Sequence, residues 1–160
     1  MSWLSINVNT NQLQKKLEKM QATINSEIPR AVQVGVFKAA LLVRNDMIRR
    51  ILKGPKSGTV YHRKGRGTRS KGRGGVDHTA SAPGESPAND TGNLARSINV
   101  VAGSVGMSST AIVTVRTPYA AALEFGSKRI EPRPFARPAV AENKELISQT
   151  IRDELAKVAS

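Results

Sequence analysis

The sequence predicts an α+β fold in a single domain that spans residues 1–160. Its length is ordinary for one domain. Apolar residues recur with helical spacing near both ends of the chain, and β-branched residues concentrate in a segment between them. We therefore expect two N-terminal helices, one of them long, a small antiparallel sheet, a short helix and a C-terminal helix. A long basic loop is expected between the second helix and the sheet.

The N-terminal part of the chain carries the first helical pattern. Residues 5–9 alternate between apolar and polar side chains, which predicts a short strand. Apolar residues then follow at spacings of four, three and four, which defines one helical face: Leu13, Leu17, Met20 and Ile24. Pro29 suits a first helical turn and predicts the start of a second helix. Its amphipathic pattern continues over 31–52 and ends at Lys53.

The second half of the chain predicts a β-hairpin and a short helix. Residues 94–101 and 111–116 are rich in strand-forming residues, and we expect the connection to run through 103–106. A short helix is predicted from Tyr119 to Phe125, closed by Gly126.

The last helix is predicted from about Pro138 to Lys157. Its apolar residues recur with helical spacing and predict the buried face, namely Leu146, Ile147, Ile151, Leu155 and Val158.

The positive charge is concentrated in one stretch. The chain has 25 Lys and Arg against 12 Asp and Glu, a net charge of +13. The stretch from Lys53 to Val76 holds eight basic residues and no acidic one: Lys53, Lys56, Arg63, Lys64, Arg66, Arg69, Lys71 and Arg73. Glycines are interspersed and apolar periodicity is lacking, so we expect 53–91 to be a long flexible loop. Loops of this length are more often functional than accidental.

The eight basic residues are the candidate nucleic-acid-binding residues. Clustered Lys and Arg bind phosphates without reading base sequence. Tyr61 is the only aromatic residue of the stretch, which argues against stacking on single-stranded bases. A solvated loop without a ligand, or a loop that contacts protein, remains an alternative.

Several kinds of chemistry are disfavoured by composition and spacing. The chain has no cysteine, which excludes disulfides and thiolate metal sites. His62 and His78 lack a standard metal-ligand spacing, and neither the glycines nor the scattered carboxylates form a known catalytic pattern. We expect a protein that is not an enzyme and that uses no cofactor or metal. The chain also lacks an apolar run of membrane-spanning length and a secretory signal, so a soluble, intracellular protein is expected.

The segment from Tyr119 to Gly126 is small and apolar. It allows two interpretations, which the residues alone leave open. One is ordinary core packing. The other is a subunit contact in which Glu124 pairs with a basic residue such as Arg133 or Arg137.

Three segments, in order, resemble one protein family. They are ASAPGESPANDTGNL at 80–94, PYAAALEFGS at 118–127 and RPFARPA at 133–139. We refer to them as the three motif segments. Together they resemble the neck or tail-completion proteins of long-tailed bacteriophages, which belong to a virion morphogenesis family.

The resemblance implies a non-enzymatic structural component of the head–tail connector. Such proteins form rings of six or twelve copies around the DNA channel. The implied partners are a head-completion or adaptor protein, a tail terminator or tail tube protein, and genomic DNA in the channel, with no membrane. The implied location is the neck of the virion, after assembly in the host cytoplasm.

The predicted subunit interface lies in and around the second and third motif segments. It comprises Tyr119, Ala120, Glu124, Phe125, Arg133, Phe135 and Arg137. The alternatives are a tail-completion protein of the same region and a stand-alone, non-specific DNA-binding protein.

Overall fold

The structure is a computed structural model that describes residues 10–63, 76–105 and 108–159. The predicted strand at 5–9 lies outside the described residues. The elements are α1 (Thr10–Ala22), a π-helical segment (Thr23–Glu27), α2 (Ile28–Lys53), β1 (Val60–Arg63), β2 (Val76–Thr79), α3 (Asn93–Arg96), β3 (Ile98–Val105), β4 (Ser108–Val115), α4 (Ala120–Phe125), α5 (Ala136–Glu142) and α6 (Lys144–Ala159). The predicted α+β class is confirmed.

The two predicted N-terminal helices form one continuous helical rod over 10–53. Pro29 lies in the first turn of α2, as predicted, but the chain does not break there. A proline cannot donate the backbone hydrogen bond to the carbonyl four residues earlier, and its ring crowds that carbonyl. The π-helical segment immediately before it accommodates this defect. There the N–H of Ile28 bonds to the carbonyl of Thr23, five residues back.

The C-terminal helix packs along α2. At Gly35 the two backbones approach so closely that an added Cβ would lie 3.1 Å from the Cα of Ile151. Nearby, Lys38 Nζ lies 2.7 Å from a carboxylate oxygen of Glu154. The seam therefore joins parts of the chain that are more than a hundred residues apart in sequence.

The single helix predicted over 138–157 is divided into α5 and α6 at Asn143. The Asn143 side chain donates to Asp46 Oδ2 at 3.0 Å and to the Ala139 carbonyl at 2.8 Å. These bonds fix the junction of the two helices on α2. Of the five residues predicted as the buried face, Leu146 is exposed and the other four are half-buried.

The predicted antiparallel hairpin is present but shifted along the chain. β3 pairs with β4 from Ile98 opposite Val115 to Val105 opposite Ser108. Residues 103–105, expected in the connection, belong to β3, and Leu94 lies in the short helix α3 instead of the strand. Gly92 at the start of α3 has a φ of 77°, which a residue with a side chain rarely adopts.

The long flexible loop predicted over 53–91 contains regular structure in its described part. β1 and β2 pair as an antiparallel hairpin inside it, and Tyr61 lies opposite His78. Glycine content and the lack of helical periodicity hid two short strands, because four-residue strands leave only a weak sequence signal.

The core lies between α2, β3 and the segment from α4 to α6. Its largest fully buried side chains are Phe135, Ile51 and Ile98. Val43, Met47, Leu94 and Ala139 complete most of it. Phe135, which was predicted at the subunit interface, lies in this core, and only 1% of it is exposed.

Candidate functional site

Glu124 joins the second and third motif segments. Its helix, α4, turns the carboxylate toward the start of α5, where the first backbone N–H groups of a helix have no partner within the helix. Oε2 accepts the N–H groups of Phe135 at 2.8 Å and Ala136 at 2.9 Å. Oε1 accepts the N–H of Arg137 at 2.8 Å and its Nε at 3.2 Å. The Glu124 carboxylate thus caps the N-terminus of α5, where the N-cap residue Phe135 makes no side-chain hydrogen bond.

The environment of Glu124 keeps it ionised. Burial on its own would raise the pKa of the carboxyl group, because it penalises the charged form. The three backbone N–H groups and the Arg137 guanidinium outweigh burial and lower the pKa below its ordinary value. The charge therefore serves the fold, and the group is not poised as a general acid.

These contacts correct part of the predicted subunit interface. Ala120, Glu124 and Phe135 are buried in the fold of one chain and offer no surface to a neighbour. The alternative of core packing, which was considered for 119–126, holds for Ala120 and Glu124. Tyr119 and Phe125 are exposed, Phe125 by 65%.

The two arginines of the predicted interface are engaged within the chain. Arg137 pairs with Glu124 and lies with its guanidinium carbon 5.0 Å from the centre of the Phe125 ring. Arg133 donates from Nε to the Ser81 carbonyl at 3.1 Å. Arg133 therefore ties the third motif segment to the first.

Further bonds fasten the first motif segment to the third and to the residue directly before it. The N–H of Gly84 donates to the Pro132 carbonyl at 2.9 Å, and Ser86 Oγ donates to the Pro134 carbonyl at 3.2 Å. Gly84 has a φ of 81°, which its lack of a side chain permits. The proline-rich stretch is thus held as an irregular loop by bonds to distant parts of the chain, although it falls within the segment predicted as a flexible loop.

The three motif segments meet around one open cleft of about 450 Å³. The first contributes Ser81 and Asp90, the second Tyr119 and Leu123, and the third Arg133. The sequence placed these segments in order along the chain but could not show that they converge. Their convergence gives the motifs a common structural role.

The same scaffold holds the base of the β1–β2 hairpin. The carboxylate of Glu85, in the first motif segment, accepts the N–H and Oγ of Ser57 at 3.0 and 2.6 Å and the N–H of Ala82 at 2.8 Å. The Ser57 hydroxyl and these backbone groups lower the pKa of Glu85. Beside it, the N–H of Gly58 donates to the Ala80 carbonyl at 3.0 Å. The two ends of the hairpin are therefore fixed to each other.

Three of the eight predicted nucleic-acid-binding residues lie within the described residues. Lys53 is exposed at the end of α2, and Lys56 donates to the Leu52 carbonyl at 3.4 Å. Arg63 is the last residue of β1. The remaining five predicted nucleic-acid-binding residues lie outside the described residues: Lys64, Arg66, Arg69, Lys71 and Arg73.

Sequence reasoning missed a charged network at the end of α2. The buried carboxylate of Asp46 accepts bonds from Arg49, from Arg50 Nε at 2.9 Å and from Asn143. Burial alone would raise the pKa of Asp46, but the two arginines outweigh it and lower the pKa. Arg50 also pairs with Glu142. The i, i+3 and i+4 spacing of the arginines from Asp46 was the available signal.

Arg49 adds to the exposed charge beside the hairpin. Two thirds of its side chain remain exposed although it bonds to Asp46. It lies one helical turn before Lys53, so both cations belong to the same end of α2. The exposed positive charge therefore begins on the last turns of α2, directly before the rest of the basic stretch in the sequence.

The two histidines lie in the hairpin strands. His62 is exposed and pairs with Asp77 on the opposite strand, while His78 Nδ1 lies 3.9 Å from an Asp90 oxygen. Within the described ranges, no group of three or more metal-ligating side chains comes together. Over the same ranges, no helix has both the length and the apolar character needed to cross a membrane.

Comparison with protein-family models, curated proteins and solved structures returned no match.

Proposed function

We propose that this protein is a structural component of the head–tail neck of a tailed bacteriophage. In this role, copies form a ring of six or twelve around the DNA channel, between a head-completion or adaptor protein and a tail terminator or tail tube protein. The chain does no chemistry there. The proposal starts from the resemblance of the three motif segments to the neck or tail-completion proteins of long-tailed bacteriophages.

The observation that carries the proposal is the convergence of the three motif segments on one scaffold. Glu124, Arg133 and Glu85 act within it as structural links. Residues used in this way hold loops and helix ends in fixed positions, which suits a component that must present the same surface in every copy.

The position of the positive charge supports contact with DNA. The basic stretch leaves and returns to the scaffold at a hairpin base held by Glu85 and Ser57. Its eight cations offer phosphate contacts without base recognition. A ring would bring several such stretches together, and their mutual repulsion favours a polyanion at the centre.

DNA binding by the basic hairpin is tested with a charge-neutralised variant. In it, six residues are changed to Gln: Arg63, Lys64, Arg66, Arg69, Lys71 and Arg73. Fluorescence anisotropy with a labelled duplex, measured over a salt series, should show at least tenfold weaker binding. The slope of log K against log salt should also be shallower, by about 0.9 for each lost phosphate contact.

A matched control separates the hairpin from net charge alone. It changes six exposed cations elsewhere to Gln, namely Lys15, Arg30, Arg116, Lys128, Arg129 and Lys144. We expect the control to keep most of the affinity and both variants to keep the wild-type melting temperature. Equal losses in the two variants, or unfolding of the hairpin variant alone, would contradict the assignment.

The neck location is tested by labelling the chain in particles that contain it. Antibody-gold electron microscopy should place the label at the head–tail junction. Label over the capsid lattice or at the distal end of the tail would exclude a neck protein.

The concentration of positive charge between Lys53 and Val76 also favours a second candidate, a stand-alone non-specific DNA-binding protein. That candidate predicts DNA binding without any incorporation into particles. A tail-completion protein of the same region predicts label at the junction and retention with isolated tails after heads are removed.

A further inference from the structure

Helix α1 presents an apolar face to solvent. Three apolar side chains of α1 and one of the π-helical segment after it lie along one side of the helical rod, and each is about half exposed: Leu13, Leu17, Met20 and Ile24. The same stripe continues into α2 at Ala31 and Gly35, where α6 covers it. The α1 face thus extends an existing helix–helix seam beyond the end of the helix that covers it.

The body of the molecule has a groove of complementary character. It has a volume of about 520 Å³ and runs between α2, β4 and the two C-terminal helices. Every described residue that lines it is apolar. They include Val36, Met47, Ile112, Val140 and Ile147. Ile112 and Val140 are more than half exposed on its rim.

The face and the groove match in length. From Leu13 to Ile24 the helix rises about 17 Å, and the α2 wall of the groove, from Val36 to Met47, rises by the same amount. The anchors, which run from Leu13 in α1 to Ile24 in the π-helical segment, follow the i, i+4, i+7, i+11 pattern by which an amphipathic helix fills an apolar groove.

A chain with this helical rod cannot fill its own groove. α1 and the α2 wall belong to the same continuous helix, and Ile24 precedes Val36 by about 18 Å along it. Self-docking would require the rod to fold back at the π-helical segment. In a second copy, α1 is free to approach the groove from outside.

We propose that α1 of one copy docks in the apolar groove of a neighbouring copy. The two surfaces differ, so the contact is head-to-tail, and repeating it generates a closed ring or an open helical array. The inference deepens the proposed function, because it names the contact that forms the ring. Only the place of the assembly in the virion rests on the proposed function.

The contact is tested by disulfide formation, since the natural chain has no cysteine to interfere. Leu17→Cys and Val140→Cys are made as separate proteins and mixed under oxidising conditions. We expect a cross-linked dimer in the mixture only. Ala22→Cys replaces Leu17→Cys in the control, because Ala22 lies on the opposite side of α1 and should not cross-link.

Other cross-linking results overturn the inference. Dimers of Leu17→Cys with itself would indicate an α1–α1 pair. An internal cross-link in the monomeric double variant would show that the rod folds back onto its own groove. Failure of the mixture to cross-link at concentrations where the wild type is oligomeric would exclude this contact.

A second measurement uses charge placed on the apolar face. Leu17→Asp should weaken self-association at least tenfold by analytical ultracentrifugation, whereas Ala22→Asp, with an equal charge change in the same helix, should not. A wild type that stays monomeric at every concentration overturns the inference. The charge-neutralised hairpin variant should still assemble, so loss of DNA binding and loss of this contact are distinguished.

Discussion

Glu124 is the single side chain on which the arrangement of the motif segments depends most. Replacing it with Gln removes the charge while keeping a similar shape, so the N–H groups of Phe135, Ala136 and Arg137 lose their charged acceptor. We expect Glu124→Gln to lower the free energy of unfolding by about 2 kcal/mol. Urea denaturation measures this. The control is Glu131→Gln at an exposed glutamate, and an equal effect in both would contradict the role of Glu124.

The same carboxylate predicts a pH dependence. The folded protein lowers the pKa values of Glu124 and Asp46 below those of the unfolded chain. The resulting stability is therefore complete above the unfolded pKa values, near about 4. It is lost as the pH falls through the folded values. Melting temperatures measured below about pH 5 should drop less steeply for Glu124→Gln than for the wild type. Parallel curves would contradict this.

The role of a single residue could be predicted from the sequence only where that role follows from the hydrophobicity of its side chain. The amphipathic pattern over 31–52 predicted a buried helical face, and its members Val43, Met47 and Ile51 are buried in the core. Glu124 was expected at the surface of a subunit contact, since an isolated carboxylate usually avoids burial. Its burial depends on N–H groups eleven to thirteen residues later in the chain, and no local pattern reports such a partnership.

At the scale of elements, the close packing of α2 against α6 depends on Gly35. An added Cβ there would lie 3.1 Å from the Cα of Ile151, so a larger side chain must push the helices apart. We expect Gly35→Leu to cost about 1–3 kcal/mol of stability despite the better helix propensity of Leu. The control, Gln33→Leu, adds the same side chain on an exposed position of the same helix. Thermal unfolding should distinguish the two variants, and equal melting temperatures would contradict a close helix contact.

Element types were predicted better than their ends and connections. Periodicity identified the long helix and the antiparallel hairpin of β3 and β4. It could not show that the π-helical segment lets the rod pass Pro29 unbroken. Nor could it show that Asn143 divides the last helix, because that division depends on a bond to Asp46 in α2. Tertiary contacts decide these boundaries.

At the scale of the whole molecule, net charge opposes the association of copies. Each chain carries +13, whereas the proposed contact between α1 and the groove is apolar. Salt screens the repulsion and leaves the apolar contact largely intact. Raising the salt from 50 to 300 mM should therefore strengthen self-association in sedimentation experiments without DNA. Weaker association at the higher salt would indicate an ionic contact instead.

The sequence predicted the location of the excess charge and the order of the motif segments. It could not predict that the segments share one cleft, or that the groove beside α2 stays uncovered by the described residues. Both are properties of the packed molecule. An apolar residue in a helix gives the same pattern whether its partner belongs to its own chain or to another.

The seam between α2 and α6 has a consequence for synthesis on the ribosome. Gly35 and Lys38 meet Ile151 and Glu154 only after about a hundred further residues have been added. At a synthesis rate of about 5–20 residues per second, roughly 5–20 s pass before α6 has been made and can pack against α2. During that interval its apolar stripe is available to chaperones, and neighbouring nascent chains on one messenger can meet before either has finished folding.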